Sequence, residues 1–120
     1  GIMDQYTSLM GRKDNALFLD CRSLKSENVP LPGNCQIIIC DTGVRRELSR
    51  TEYNQRRNEC TTAVKEFAAY EENVHSLRDV TIEHFQLYAD RLSSVSRRRA
   101  LHVITENERV LHSVSALKRG

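Results

Sequence analysis

The groups in this sequence able to do chemistry are four cysteines, four histidines, a basic cluster and scattered carboxylates. Their spacing excludes more than it selects. Cys21, Cys35, Cys40 and Cys60 form no C-x-x-C pair, so a zinc ribbon is not expected. His75, His84, His102 and His112 show neither i, i+4 pairing nor an H-E-x-x-H context, and no metal role is assigned to them. Glycine totals five, with no glycine-rich phosphate loop. Arg45, Arg46, Arg50, Arg56 and Arg57 stand against Glu47 and Glu52. That excess of positive charge suits either an anion site or a solvated helix face. Arg97, Arg98 and Arg99 open a helical pattern, where positive charge opposes the helix dipole, and read as a surface run. Asp4 falls in the first turn of a short helical pattern, where a carboxylate complements the dipole.

These groups need elements to position them. Ile2, Met3, Tyr6, Leu9 and Met10 recur at helical spacing, with Gly11 placed as a C-cap, and predict a helix over 2–10. The apolar run at 16–21 predicts a strand, and 26–31 a weaker one ended by prolines. Pro32-Gly33-Asn34 is a turn signal. Residues 35–40, Cys-Gln-Ile-Ile-Ile-Cys, predict a strand covered on both faces. Tyr53, Cys60, Val64 and Phe67 share one face of a helix over about 51–70. Residues 71–80 read as a flexible joint. Thr81 is placed to cap a helix carrying Ile82, Phe85, Tyr88, Ala89 and Leu92. Ser94 or Ser96 is placed to cap the last helix, whose apolar stripe runs from Ala100 to Leu117 with Asn107 as its polar exception. Asn107 is expected to be a buried, hydrogen-bonded amide. The cysteines are expected to be buried free thiols of a reducing compartment.

The order is therefore a short helix, two to three strands, then three amphipathic helices, an α+β layout. The chain of 120 residues has 18 Lys and Arg against 16 Asp and Glu, a net charge of +2. That balance gives no polybasic or acidic tail, and no nucleic-acid partner is expected. Apolar residues at 39% are those of a globular chain, and no apolar run reaches the roughly 20 residues of a membrane span. The chain starts Gly1-Ile2-Met3-Asp4, and the expectation is an internal piece of a longer protein. An uncovered apolar strand would favour self-association of such a piece.

Four stretches are more specific than composition. GIMDQYTSLMG at 1–11, followed by ALFLDCRSL at 16–24, TGVRRELSRTEYNQRRNEC at 42–60 and RRRALHVITENERV at 97–110 together resemble galactokinase, a sugar kinase of the GHMP superfamily. The resemblance covers essentially the whole chain. It implies a piece of the GHMP kinase fold, with the end of the N-terminal domain at about 1–50 and the start of the helical C-terminal part at about 51–120. It implies a cytoplasmic enzyme that transfers the γ-phosphate of ATP, with Mg2+, to the anomeric hydroxyl of D-galactose. Asp4 matches the aspartate that serves as catalytic base. Gly1 matches a glycine whose backbone lies beside the sugar, and Tyr53 a tyrosine whose hydroxyl contacts a galactose hydroxyl. The competing reading of Tyr53 is a core tyrosine. Arg45 matches an arginine near the nucleotide, although Glu47 stands where the family often has a small polar residue. The family's G-R-x-N-L-I-G-E-H-x-D segment, its phosphate loop P-x-x-x-G-L-S-S-S-A and its C-terminal glycine-rich motif do not occur in these residues. The 120 residues alone are therefore expected to be inactive and to lack tight ATP or Mg2+ binding. Alternatives are a GHMP kinase for N-acetylgalactosamine, arabinose or galacturonate, a silent galactokinase-like sugar sensor, or an α+β module that docks through its last two helices.

Overall fold

The computed structural model describes residues 2–43 and 50–119. The chain divides into two compact units, Gly1–Asp41 with Val110–Gly120, and Thr42–Arg109. The architecture is α+β, with a short helix, an antiparallel pair of strands and then helices.

In the first unit, α1 spans Met3–Met10 and ends at Gly11. Gly11 is not in the left-handed conformation expected of a C-cap glycine, since its φ is −63°. Glycine is required there by close approach instead. The Gly11 N–H donates to the Thr7 carbonyl at 2.9 Å, and a Cβ on Gly11 would lie 2.7 Å from the same oxygen. Strands β1 (Asn15–Leu19) and β2 (Ser26–Pro30) pair antiparallel, with Ala16 opposite Val29 and Leu19 opposite Ser26. Pro30 sits at the end of β2, where its missing N–H costs least. Leu24 turns the hairpin with φ of +58°, a region rarely used by residues other than glycine. Two bonds hold it there: its N–H donates to the Asp20 carbonyl at 2.8 Å, and its carbonyl accepts from the Tyr6 hydroxyl at 3.0 Å.

Residues 35–40 do not form the expected strand. Ile37, Ile38 and Ile39 are 77%, 80% and 91% exposed. A strand needs a neighbour to complete its backbone hydrogen bonds, and among the described residues only β1 and β2 pair. The expectation of buried cysteines fails for related reasons. Cys35 and Cys40 bracket this uncovered run, and Cys21 falls in the hairpin turn beyond the end of β1. All three are exposed, Cys60 is half-buried, and all four are free thiols.

In the second unit, α2 spans Arg50–Ala68, a 3-10 turn spans Leu77–Asp79 and α3 spans Ile82–Tyr88. A second 3-10 turn (Ala89–Arg91) leads to α4 (Ser94–Arg119), which belongs to this unit as far as Arg109. The core is Ala63, Phe67, Val74, Leu77, Val80, Phe85, Leu92, Ala100 and Ile104. Phe67 and Phe85 pack with ring centroids 6.4 Å apart. Segment 71–80 is part of this core, not a flexible joint. Its Val74, Leu77 and Val80 recur every third residue and are all buried. Asp79 holds the segment by accepting from the Ser76 N–H at 2.8 Å and the Ser76 hydroxyl at 3.1 Å.

Thr81 caps α3 as expected, its hydroxyl accepting from the His84 N–H at 3.3 Å. The cap of α4 is Ser93, one residue before the expected Ser94 or Ser96. The Ser93 hydroxyl accepts from the Ser96 N–H at 3.3 Å and donates to Glu66 at 3.0 Å. Glu66 also accepts from the Ser93 N–H at 2.9 Å and the Ser96 hydroxyl at 2.9 Å. A carboxylate on α2 thus anchors the start of α4. Burial pushes the Glu66 carboxyl up, but these hydrogen bonds outweigh it and hold it below its ordinary value of 4.5. Its contribution to stability is therefore fully present above about pH 4.5 and is lost as pH falls through the lowered value. Glu66→Gln is expected to destabilise the fold by about 1–3 kcal/mol at neutral pH. The difference from wild type should shrink in acid, as read by denaturant unfolding across pH.

Candidate functional site

Asp4 lies in the first turn of α1, in the unit Gly1–Asp41 with Val110–Gly120. Its side chain is exposed, and among the described residues its carboxylate has no partner. The backbone that carries it is well fixed. The Ser8 hydroxyl donates to the Asp4 carbonyl at 2.8 Å. Tyr6 ties α1 to the hairpin turn, and the Asn28 amide donates to the Met10 carbonyl at 3.4 Å. An exposed carboxylate on an anchored helix can accept a proton from a bound hydroxyl without first breaking a protein contact.

Tyr53 lies near the start of α2, in the unit Thr42–Arg109. It is 67% exposed, and among the described residues its hydroxyl has no partner. Among the described residues it is therefore not part of the core: the buried face of α2 starts further along, at Ala63 and Phe67. Gly1, Arg45 and Glu47 lie outside the described residues. In the basic cluster, Arg56 pairs with Glu52 at 3.9 Å along the solvated face of α2.

The reading of Arg97–Arg99 as a plain surface run is corrected at one position. Arg99 is half-buried, and its Nε donates to Glu59 at 2.5 Å, joining α4 to α2. The Arg99 hydrogen bond holds the Glu59 carboxyl below its ordinary range. Arg97 reaches Asp90 at 3.4 Å. Asn107 is likewise exposed, not buried, because α4 has passed the core after Ile104 and opens there onto a cleft. Sequence reading missed that cleft and the Glu66 anchor. Both depend on which residues of distant helices meet, and helical spacing carries no such information.

Among the described residues, no three His, Cys, Asp or Glu side chains come together as a metal donor set. Among the described residues, no helix is long and apolar enough to cross a membrane.

No family model matches the chain. A curated galactokinase of Roseiflexus sp. (strain RS-1) is 40% identical to it over 120 residues, which is 100% of the chain and 31% of that protein. The chain thus spans about a third of the length of this relative. That match runs through the stretches carrying Asp4 and Tyr53 without leaving any part of the chain unaligned, so the chain is similar over its whole length to an internal stretch of a galactokinase.

Proposed function

We propose that the protein containing these residues transfers the γ-phosphate of ATP to the anomeric hydroxyl of D-galactose, giving galactose 1-phosphate. The observation that carries this reading is the 40% identity to a galactokinase along the entire chain. The exposure of both Asp4 and Tyr53 supports it, since each side chain is left available to a ligand.

In the proposed reaction the sugar's anomeric oxygen attacks the γ-phosphorus, an O–P bond forms, and the bond to the β-phosphate oxygen breaks. Asp4 takes the proton of the attacking hydroxyl. Phosphoryl transfer asks mainly for positioning and charge stabilisation, and one carboxylate beside the nucleophile meets the need for a proton acceptor. Tyr53 hydrogen-bonds a sugar hydroxyl and Gly1 lies against the sugar through its backbone. Arg45 approaches the nucleotide. Magnesium would neutralise phosphate charge when bound with ATP. Among the described residues, no three His, Cys, Asp or Glu side chains come together to hold it.

Residues 1–50 would close the N-terminal kinase domain and 51–120 would begin the helical part, in a cytoplasmic enzyme. The 120 residues alone would be inactive and would self-associate through uncovered apolar surface. Removing the Tyr53 hydroxyl in Tyr53→Phe is expected to cost about 0.5–1.5 kcal/mol of sugar binding. That is roughly a 2- to 13-fold rise in the galactose Kd, read by calorimetry.

The test is ADP release by the complete kinase on galactose, N-acetylgalactosamine, arabinose and galacturonate, beside the same assay on the 120 residues alone. Highest kcat/KM on galactose supports the reading. Preference for another of these sugars moves the substrate, and galactose binding without ADP release moves the protein to a sensor. Magnesium-dependent turnover by the 120 residues contradicts their proposed inactivity.

A further inference from the structure

The cleft that Asn107 opens onto lies wholly within the second unit, with a volume of about 450 Å3. It is lined from α2, from the segment ending in the first 3-10 turn and from α4. Val64, Leu77 and Val103 supply an apolar surface, while Arg57, Arg78 and Asn107 supply polar groups. Among the described residues, no carboxylate lines it. Among the described residues the Arg57 guanidinium has no ion-pair partner and the Asn107 amide no hydrogen-bond partner. Asn107 interrupts an otherwise apolar helical stripe, and its place in this lining accounts for a polar residue there.

We propose that this cleft binds a small organic anion, a phosphate monoester or carboxylate with a compact apolar body. The volume lies within the range of small-molecule sites, which combine an apolar lining with a few converging polar groups. The Arg57 guanidinium selects an acid over a neutral or cationic ligand, and a guanidinium matches the paired oxygens of carboxylate or phosphate. The apolar surface selects an organic acid over a bare inorganic anion, and the Asn107 amide offers both a donor and an acceptor to its polar edge. The site uses neither Asp4 nor Tyr53 and stands or falls apart from the kinase reading.

The test is methyl NMR of the complete kinase with galactose and nucleotide saturating, so that the catalytic site is filled. Phenyl phosphate is the probe, with phenol and inorganic phosphate as comparisons. Saturable shifts at Val64, Leu77 and Val103 are expected, with phenol and inorganic phosphate each binding at least about 10-fold more weakly. Arg57→Gln and Asn107→Leu, both at exposed helix positions, are each expected to weaken phenyl phosphate about 10-fold or more, corresponding to the loss of one hydrogen bond to a charged group. Absence of saturable shifts overturns the proposal. So does phenol binding as tightly as phenyl phosphate, or affinity unchanged in both variants.

Discussion

Replacing Asp4 with Asn in the complete kinase is expected to lower kcat for galactose by about 10²- to 10⁴-fold, the range for loss of a general base. Asn keeps the size and hydrogen-bonding reach of the carboxylate but cannot accept the proton of the anomeric hydroxyl. The galactose Kd should move little, because the substitution leaves the sugar's other contacts in place. Nor should the fold suffer much. The Asp4 side chain has no partner among the described residues, so only its favourable interaction with the α1 dipole is lost, about 0.3–1 kcal/mol. Stopped-flow or steady-state kinetics, calorimetry and a melting curve on the same variant separate these effects. A variant with normal kcat and a slightly lowered melting temperature would make Asp4 a helix-stabilising carboxylate and nothing more.

The largest stability effect is expected at Phe67. Its side chain is 1% exposed, packs against Phe85 and belongs to the cluster that gathers α2, segment 71–80, α3 and α4. Phe67→Ala removes most of a ring from a site where four segments meet, and the rigid helices around it can close the void only in part. The expected cost is about 3–5 kcal/mol, comparable to the whole stability of many domains. Leu87→Ala is the matched control, since Leu87 is 71% exposed and its loss should cost less than about 0.5 kcal/mol. Denaturant midpoints compare the two. Equal midpoints would mean that the cluster does not hold the unit together.

Elements whose signal is local were legible in the sequence. The helical spacing of Met3, Tyr6 and Met10 gave α1, the runs at 16–21 and 26–31 gave strands β1 and β2, and Thr81 gave the start of α3. Readings that depend on a distant partner were not. The isoleucines at 37–39 show that the segment favours burial, but composition does not say what covers it, and here nothing among the described residues does. In segment 71–80 the charged residues concealed a buried row of Val74, Leu77 and Val80, whose partners lie on α2, α3 and α4. Ser93 outcompetes Ser94 as a cap because Glu66, 27 residues earlier, fixes it in place.

The site was legible in a different way. Neither Asp4 nor Tyr53 stands out by spacing, because an acid in a first helical turn and a tyrosine on a helix are both ordinary. Only the motifs around them pointed to a sugar kinase. What the structure adds is their exposure, which for Tyr53 runs against the core position that its place in the apolar stripe suggested.

The central claim is tested most directly by the product. The complete kinase is incubated with galactose, ATP and Mg2+, and the phosphorylated sugar is examined by proton–phosphorus NMR. The prediction is a single phosphomonoester whose phosphorus couples to the anomeric proton, formed by wild type and nearly absent with Asp4→Asn. Phosphate on another hydroxyl, or galactose bound without any phosphorylated sugar, would contradict it.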